Sequence, residues 1–500
     1  MATASSICKQ PVVAIVGHID HGKTTLLDYI RKASVAAKET GGITQGISAY
    51  EIEHTTKEGE KRALTFIDTP GHEAFQNMRR RGASVADIVI LVIAADDGVK
   101  PQTVEAYKAI TEANVPFIVA FTKVDKETAN LDRARESVLR EGIYLEGLGG
   151  DVPHVALSGK SGAGVSELLD LIILATDLHG ISCDPTKPVQ ATVIESSRDP
   201  RSGVSATVIV REGTLHVKGF AVAGSAMAPL RIIEDFTGKK VTEIPCGKPA
   251  RVTGFTEEPL VGATLVMTES KKEAEALVQQ NAKPKTAQKN IPNEGDVRPV
   301  LRIVLKADST GSLEALEYEL AKIPRERIEI LIVGRGIGAI SEADVKHLTG
   351  FSPAIAVGFN VKVAPAAKDL AERQGVTVET RDIIYELADW LSAKVKELAP
   401  PIPEEVPMGV AQVLKHFSSA GSKHVVGGKI TTGSLAVGDR VSITRRGIEV
   451  STGKILNLQH NKANVSEVNE GAEFGAQVDS KADIITGDIV TEVRTPVQKR

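Results

Sequence analysis

From residue 10 to about residue 182, short unbroken apolar runs alternate with helix-like stretches. The runs cover 12–16, 63–67, 88–94, 116–120 and 155–157, and segments such as 23–32 and 166–177 carry helical spacing. Strand and helix in alternation predict a doubly wound, mostly parallel sheet, whose strands are covered on both faces and so need no polar side. From 183 the texture changes. Up to about 270 the runs are short, β-branched and broken by glycine, as in ATVIV followed by REG, which predicts a β-barrel. Residues 271–298 are polar and read as a helix followed by a linker. Alternation resumes over 299–380, predicting a small α/β unit of the βαβ kind, with a helix at 312–323 and strands at 328–333 and 354–357. In 381–398, Ile384, Leu387, Leu391 and Val395 make one helical stripe, and the prolines from Pro400 end it. A connecting helix and Pro-rich linker therefore occupy 381–407. Strand-and-turn sequence fills 408–500, predicting a second β-barrel, and residues 1–9 read as a short tail. The expected architecture is multidomain α/β plus β.

One echo supports two barrels. GTLHV at 213–217 resembles GSLAV at 433–437, each between β-branched runs. A shared hairpin turn alone would give the same echo.

Composition adds little to this picture. A chain of 500 residues with 42% apolar residues has material for about three to five domains, and 4% aromatics makes the cores aliphatic. The net charge of −4 excludes neither nucleic acid nor protein partners. Residues 408–500 carry 12 Lys+Arg against 9 Asp+Glu, a weak local excess that leaves RNA contact and a solvated hairpin equally open. Cys8, Cys183 and Cys246 are scattered without zinc-type spacing, so reduced thiols in a cytoplasm are expected. The first residues lack a signal-peptide stretch, and the longest apolar run, 88–95, is too short to cross a bilayer. A cytoplasmic protein without a membrane is expected.

The chemistry begins at 17–24. GHIDHGKT matches G-x-x-x-x-G-K-[ST] between a predicted strand and a predicted helix. Gly17, His18, Ile19, Asp20, His21 and Gly22 would wrap phosphate with backbone amides, Lys23 would reach the outer phosphates, and Thr24, followed by Thr25, would place a hydroxyl on Mg²⁺. DTPG at 68–71 follows the next run, so Asp68 can support the metal and Gly71 can offer an amide to the γ-phosphate. His72, directly after, is the candidate for orienting the attacking water. GGITQG at 41–46 suits a mobile loop whose Thr44 hydroxyl meets the metal, or equally a plain turn.

FTKVD at 121–125 is the loop that would read the base. Asp125 can accept two hydrogen bonds from guanine, a pair that adenine does not offer. Lys123 can lay its stem along the base. Thr122 stands where guanine readers usually carry Asn, so weaker binding with guanine preference kept is expected. Ser158, Gly159 and Lys160, after the following run, occupy the place of a further base-contacting loop.

These motifs resemble the bacterial translation initiation factor 2 family. GHIDHGKTTLLDYIR, GGITQGISAY, DTPGHEAF and MRRRGASVADIVILVIAADDGVKPQT are similar to its GTPase domain. ATVIVREGTLHVKGFAVAG, VLKADSTGSLEAL, RDIIYELADW and GGKITTGSLAVGDRVSITRRG resemble its later domains in order, so the resemblance covers nearly 10–495. It implies a GTPase that uses GTP, GDP and Mg²⁺. It implies delivery of formylmethionyl initiator tRNA to the 30S subunit, promotion of joining with the 50S subunit, and GTP hydrolysis on the ribosome. Other initiation factors are further partners it admits, and it implies a monomer. It assigns Thr24, Thr44 and Asp68 to the metal, Asp20 to the pocket, His72 to the water, and the last barrel to the aminoacylated tRNA end. Three departures from the family pattern cover four positions: Thr122 for Asn, Gly46 for His, and Gly428 and Phe474 where many members carry cysteines. Gly475 and Arg445 or Arg446 are the remaining candidates near that last pocket. An elongation-type tRNA-delivering GTPase and a nucleotide-gated binding module without useful hydrolysis are the alternatives.

Overall fold

The computed structural model describes residues 7–31, 44–199, 202–281, 299–325, 327–400 and 407–493. Contacts divide the chain into two compact units, Met1–Ala399 and Pro400–Arg500.

The first unit opens with a six-stranded sheet in the order Ser48–Thr55, Lys61–Asp68, Val12–Gly17, Ile88–Ala94, Phe117–Thr122, His154–Ala156. All neighbours are parallel except the first pair. Alternate residues of the central strands feed opposite cores. Val13, Ile15, Ile90 and Val92 pack with the helices Lys23–Arg31 and Val165–Leu178. Val12, Ala14, Val89 and Leu91 pack with Gln76–Val85 and Pro101–Ala113. Two covered faces are why these runs have no polar alternation. Ser48–Thr55 escapes sequence reading because it is a half-exposed edge strand, SAYEIEHT, whose apolar positions are interrupted by Glu51 and Glu53.

Residues 7–9, read from sequence as part of a tail, are tied in. Ile7–Cys8 pairs antiparallel with Ser182–Cys183, and buried Lys9 meets Asp87 at 2.9 Å.

The next sheet has eight strands and curls into a barrel. Its edge strand Ala226–Pro229 comes round to the strand Pro249–Phe255, where the Thr256 amide donates to the Met227 carbonyl at 2.8 Å. The expectation of separate reduced thiols is corrected here: Cys183 and Cys246 form a disulfide, with Cα atoms 6.7 Å apart. Both residues join the same barrel core, which sequence spacing does not reveal. The helix Lys271–Asn281 follows as predicted, and the linker reading of 282–298 lies outside the described residues.

A four-stranded parallel sheet comes next, ordered Glu329–Ile337, Val300–Ala307, Ala354–Phe359, Thr377–Arg381. The helix Thr310–Lys322 covers one face and shares a continuous core with the nucleotide-type sheet. Ile384–Leu398 is a helix, and its stripe Ile384, Leu387, Leu391 and Val395 is buried in that same core.

In the second unit six strands close into a ring, Pro407–Ala420, Ile489–Val493, Arg440–Arg445, Ile448–His460, Glu473–Ser480 and Lys423–Ala436, the last pairing back to the first. The sequence echo is structural. Gly213 at φ +73 precedes the short strand Thr214–His216, and Gly433 at φ +69 lies within Lys423–Ala436 just before its last three residues; Leu215 pairs with Ile244 and Leu435 with Val468. No helix among the described residues is long and apolar enough to cross a membrane.

Candidate functional site

The strand Val12–Gly17 turns into the helix Lys23–Arg31 through a tight loop. Gly17 has φ +149, and a Cβ there would lie 2.5 Å from the Val92 carbonyl oxygen, so only glycine fits. Lys23 folds back over the loop and donates from Nζ to the carbonyls of Gly17 at 3.0 Å and His18 at 2.6 Å. Burial pulls its pKa down to about 8, against the pull of the Asp68 carboxylate. An ammonium in that position is a ready partner for phosphate oxygens.

Across from the helix start, the hydroxyls of Thr24 and Thr44 are 3.0 Å apart, and Thr44 Oγ1 donates to Asp68 Oδ2 at 3.5 Å. Asp68 ends its strand and is buried. The turn after it is braced from below: Thr69 donates to the Ile15 carbonyl at 2.7 Å, and buried Arg79 donates to the carbonyls of Pro70, at 3.1 Å, and His72. Glu105 pairs the far side of Arg79 at 2.8 Å. Sequence reading missed Arg79; its one signal was an arginine in a helix stretch that otherwise supplies Met78, Gly82 and Ala83 to the core.

His72 accepts the Ala74 amide on Nδ1 at 2.8 Å, capping the short 3₁₀ turn Glu73–Phe75. A backbone amide can only donate, so Nδ1 is bare and Nε2 carries the proton. Burial, helped by the Lys322 and Arg79 cations, lowers the imidazole pKa to about 4. His72 is therefore neutral at pH 7. Its ring stands edge to face with Tyr385, centroids 4.0 Å apart.

On the opposite side, Thr122 is buried and its hydroxyl donates to the His21 carbonyl, tying this loop to the phosphate loop. That bond retains the backbone tie expected of the usual Asn. Lys126 meets Asp96 at 2.6 Å, with Lys123 3.9 Å away from the same carboxylate. Exposed Asp125 is held below the usual carboxylate range, first by a hydrogen bond from Ser158. Ser158 in turn accepts the amides of Lys160 at 3.2 Å and Ser161 at 3.1 Å, which shapes the third loop.

These segments enclose a cavity of about 330 Å³. Ile19, Asp20, Gly22, Lys23, Thr24, Thr25, Thr44, Gly71 and His72 line one side. Thr122, Lys123, Asp125, Gly159 and Lys160 line the other, joined by Lys126, which sequence reading did not name. Gly17, His18, His21, Asp68 and Ser158 do not line it. The His21 ring is fully buried, with Nδ1 3.4 Å from the Val92 carbonyl and burial lowering its pKa to about 4, so any part of His21 in the loop is taken by its backbone. It supports the loop from behind, with the His18 ring 4.9 Å away.

The second unit holds a cavity of about 730 Å³ on its barrel wall. Leu414, Phe417, Asn457, Gln459, Gly428, Phe474 and Gly475 are among its lining residues. Gly428 and Phe474 are direct cross-strand partners, and a Cβ on Gly428 would lie 2.9 Å from the Phe474 ring. Glycine and phenylalanine thus form one complementary pair. Arg445 and Arg446 line no part of it. Arg445 is committed to Asp488 through bonds of 2.8 and 2.9 Å.

Residues 9–177 match the model of the elongation factor Tu GTP binding domain, 188–268 that of elongation factor G domain 2, and 273–392 that of translation-initiation factor 2. A translation initiation factor IF-2 from Rubrobacter xylanophilus is 38% identical over 96% of this chain and 71% of its own length. One from Caldanaerobacter subterraneus is 40% identical over 96% and 69%, and one from Carboxydothermus hydrogenoformans 39% over 96% and 59%. A solved structure, GDP-bound aIF5B from Aeropyrum pernix, aligns over 97% of this chain and 92% of that one at 26% identity and a TM-score of 0.46. Across such relatives the chain spans from 52% to 71% of their length. At this identity, sustained from the phosphate loop to the closing barrel, the chain belongs to the translation initiation factor IF-2 family.

Proposed function

We propose that this chain is a translation initiation GTPase. It binds GTP and GDP in the 330 Å³ cavity, brings formylmethionyl initiator tRNA to the 30S subunit, promotes joining of the 50S subunit and hydrolyses GTP on the ribosome. The observation that carries the reading is the convergence in one cavity of a phosphate loop, the Asp68–His72 turn and an Asp125 poised beside Ser158. Lys23 and the amides of the loop bind phosphate, and Gly71 lets its turn approach the Ile19 backbone, whose amide nitrogen would lie 3.1 Å from a Cβ there. Asp125 accepts the two guanine N–H donors, and Thr122 fixes the loop that carries it. Neutral His72 offers Nε2–H to position the attacking water rather than to remove its proton.

Mg²⁺ fits this donor set, since Thr24, Thr44 and Asp68 bring hard oxygen atoms together within hydrogen-bonding reach. When bound it neutralises charge developing on the phosphate oxygens. The 730 Å³ barrel cavity is the candidate seat for the aminoacylated tRNA end. A cytoplasmic monomer follows from this role.

The test is calorimetric titration of GTP, GDP, ATP and XTP with magnesium, with Asp125→Asn alongside. GTP and GDP should bind, ATP should not, and the variant should shift toward XTP. Equal binding of ATP sinks the reading.

A further inference from the structure

The helix Ile384–Leu398 belongs by sequence to the connection toward the last barrel, yet its first turn sits against the nucleotide cavity. Its buried stripe, Ile384, Leu387, Leu391 and Val395, fixes how the helix rolls and leaves Tyr385 off the stripe, 43% exposed. Gln45, the residue after Thr44, grips the start of that helix from both sides. Its Nε2 donates to the Asp382 carbonyl at 2.9 Å, and its Oε1 accepts the Ile384 amide at 3.2 Å. The second of these satisfies a helix N-terminal donor that has no partner within the helix. With the first turn held this way, Tyr385 meets the His72 ring at 4.0 Å, interplanar angle 70°, while Phe75 stands on it at 5.9 Å and 73°. The turn following His72 is anchored separately, by Tyr318 donating to Glu73 and by Lys322 at 3.5 Å from the same carboxylate.

We infer that Tyr385 is a positioning residue for His72. It forms the wall that keeps the imidazole in the rotamer lining the nucleotide cavity, and Gln45 holds that wall in place. This inference rests on the GTPase reading above. With Nδ1 occupied by Ala74, Nε2 is the ring atom left to meet a water in the cavity. A ring that has lost one wall spends part of its time in other rotamers, and small misplacements of a reacting group are costly.

The experiment uses the full chain, alone and with 70S ribosomes, in single-turnover GTP hydrolysis. Tyr385→Ala should lower the hydrolysis rate constant by about 10- to 100-fold with the GTP dissociation constant unchanged. Tyr385→Phe should restore the wild-type rate, since the ring and not the hydroxyl is the wall. Adding Tyr385→Ala to His72→Ala should cost nothing further. The aromatic shift that the Tyr385 ring imposes on the His72 ring protons in NMR should vanish in Tyr385→Ala and persist in Tyr385→Phe. If Tyr385→Ala does not fold, Tyr385→Leu carries the same expectations. Wild-type hydrolysis in Tyr385→Ala, or an unchanged His72 signal, overturns the proposal while leaving the GTPase reading standing. A wild-type chain that hydrolyses no GTP in either condition overturns that reading, and the proposal with it.

Discussion

The two cavities are built in opposite ways. The nucleotide-type cavity is walled by loops that leave the carboxyl ends of parallel strands, so most of its residues arrive in short stretches, 19–25, 71–72, 122–126 and 159–160, with Thr44 apart from them. The barrel cavity is walled by antiparallel strands, and its residues come from four stretches of strand and strand end, 414–417, 425–428, 457–462 and 473–477, that share no motif. The first arrangement concentrates chemistry in stretches that a motif can name. The second disperses it, and what remains visible in sequence is a pair such as Gly428 and Phe474 that makes sense only when the strands are laid side by side.

If the two cavities work separately, perturbing one should leave the other intact. The largest expected effect is at His72. His72→Ala should lower ribosome-stimulated turnover about 10²- to 10⁴-fold in a phosphate-release assay while GTP affinity and initiator tRNA binding hold. Second is Gly428→Val. Its added atoms meet the Gln412 carbonyl and the Phe474 ring, so it should cost about 1–3 kcal/mol in denaturant unfolding and weaken tRNA-end binding, with GTP titration unchanged. Loss of GTP binding in that variant would show that the cavities are coupled.

Third is a pH effect confined to the first cavity. Lys23, with its pKa brought down to about 8, is charged at pH 7 and mostly neutral at pH 9. Phosphate favours the charged form, so nucleotide affinity should fall by about tenfold from pH 7 to pH 9, with proton uptake on binding near pH 8.5. Calorimetry in buffers of different ionisation enthalpy measures this, and uptake should disappear in Lys23→Met. Smallest is Thr122→Asn. It should gain about 0.5–1.5 kcal/mol of GTP affinity if the shorter hydroxyl forgoes a base contact. No gain would mean that the bond to the His21 carbonyl already supplies what the loop needs.

The same contrast governs what the sequence makes legible. The apolar runs at 12–16 and 88–94 announce their sheet because both faces are covered, and the 384–395 stripe announces its helix. Ser48–Thr55 stays hidden because an edge strand needs no apolar run. Lys23 and Asp125 stand in motifs that spacing reveals, whereas spacing leaves Thr44 open to a plain turn; Arg79, Tyr385 and Lys126 carry no such signal, because their surroundings depend on which element folds over which. His21 shows the limit from the other side: a residue inside a matched motif that faces the core. The disulfide between Cys183 and Cys246 teaches likewise that distance along the chain says little about distance in space.

The pairing of Ile7–Cys8 with Ser182–Cys183 places the entry and the exit of the nucleotide-type layer next to each other. A layer with adjoining ends behaves as a cassette: in evolution it can be spliced into or between other chains without stretching either junction. The same adjacency makes it a natural host for circular permutation, with the old ends joined by a short bridge and new ones opened at an exposed turn such as Lys57–Glu58.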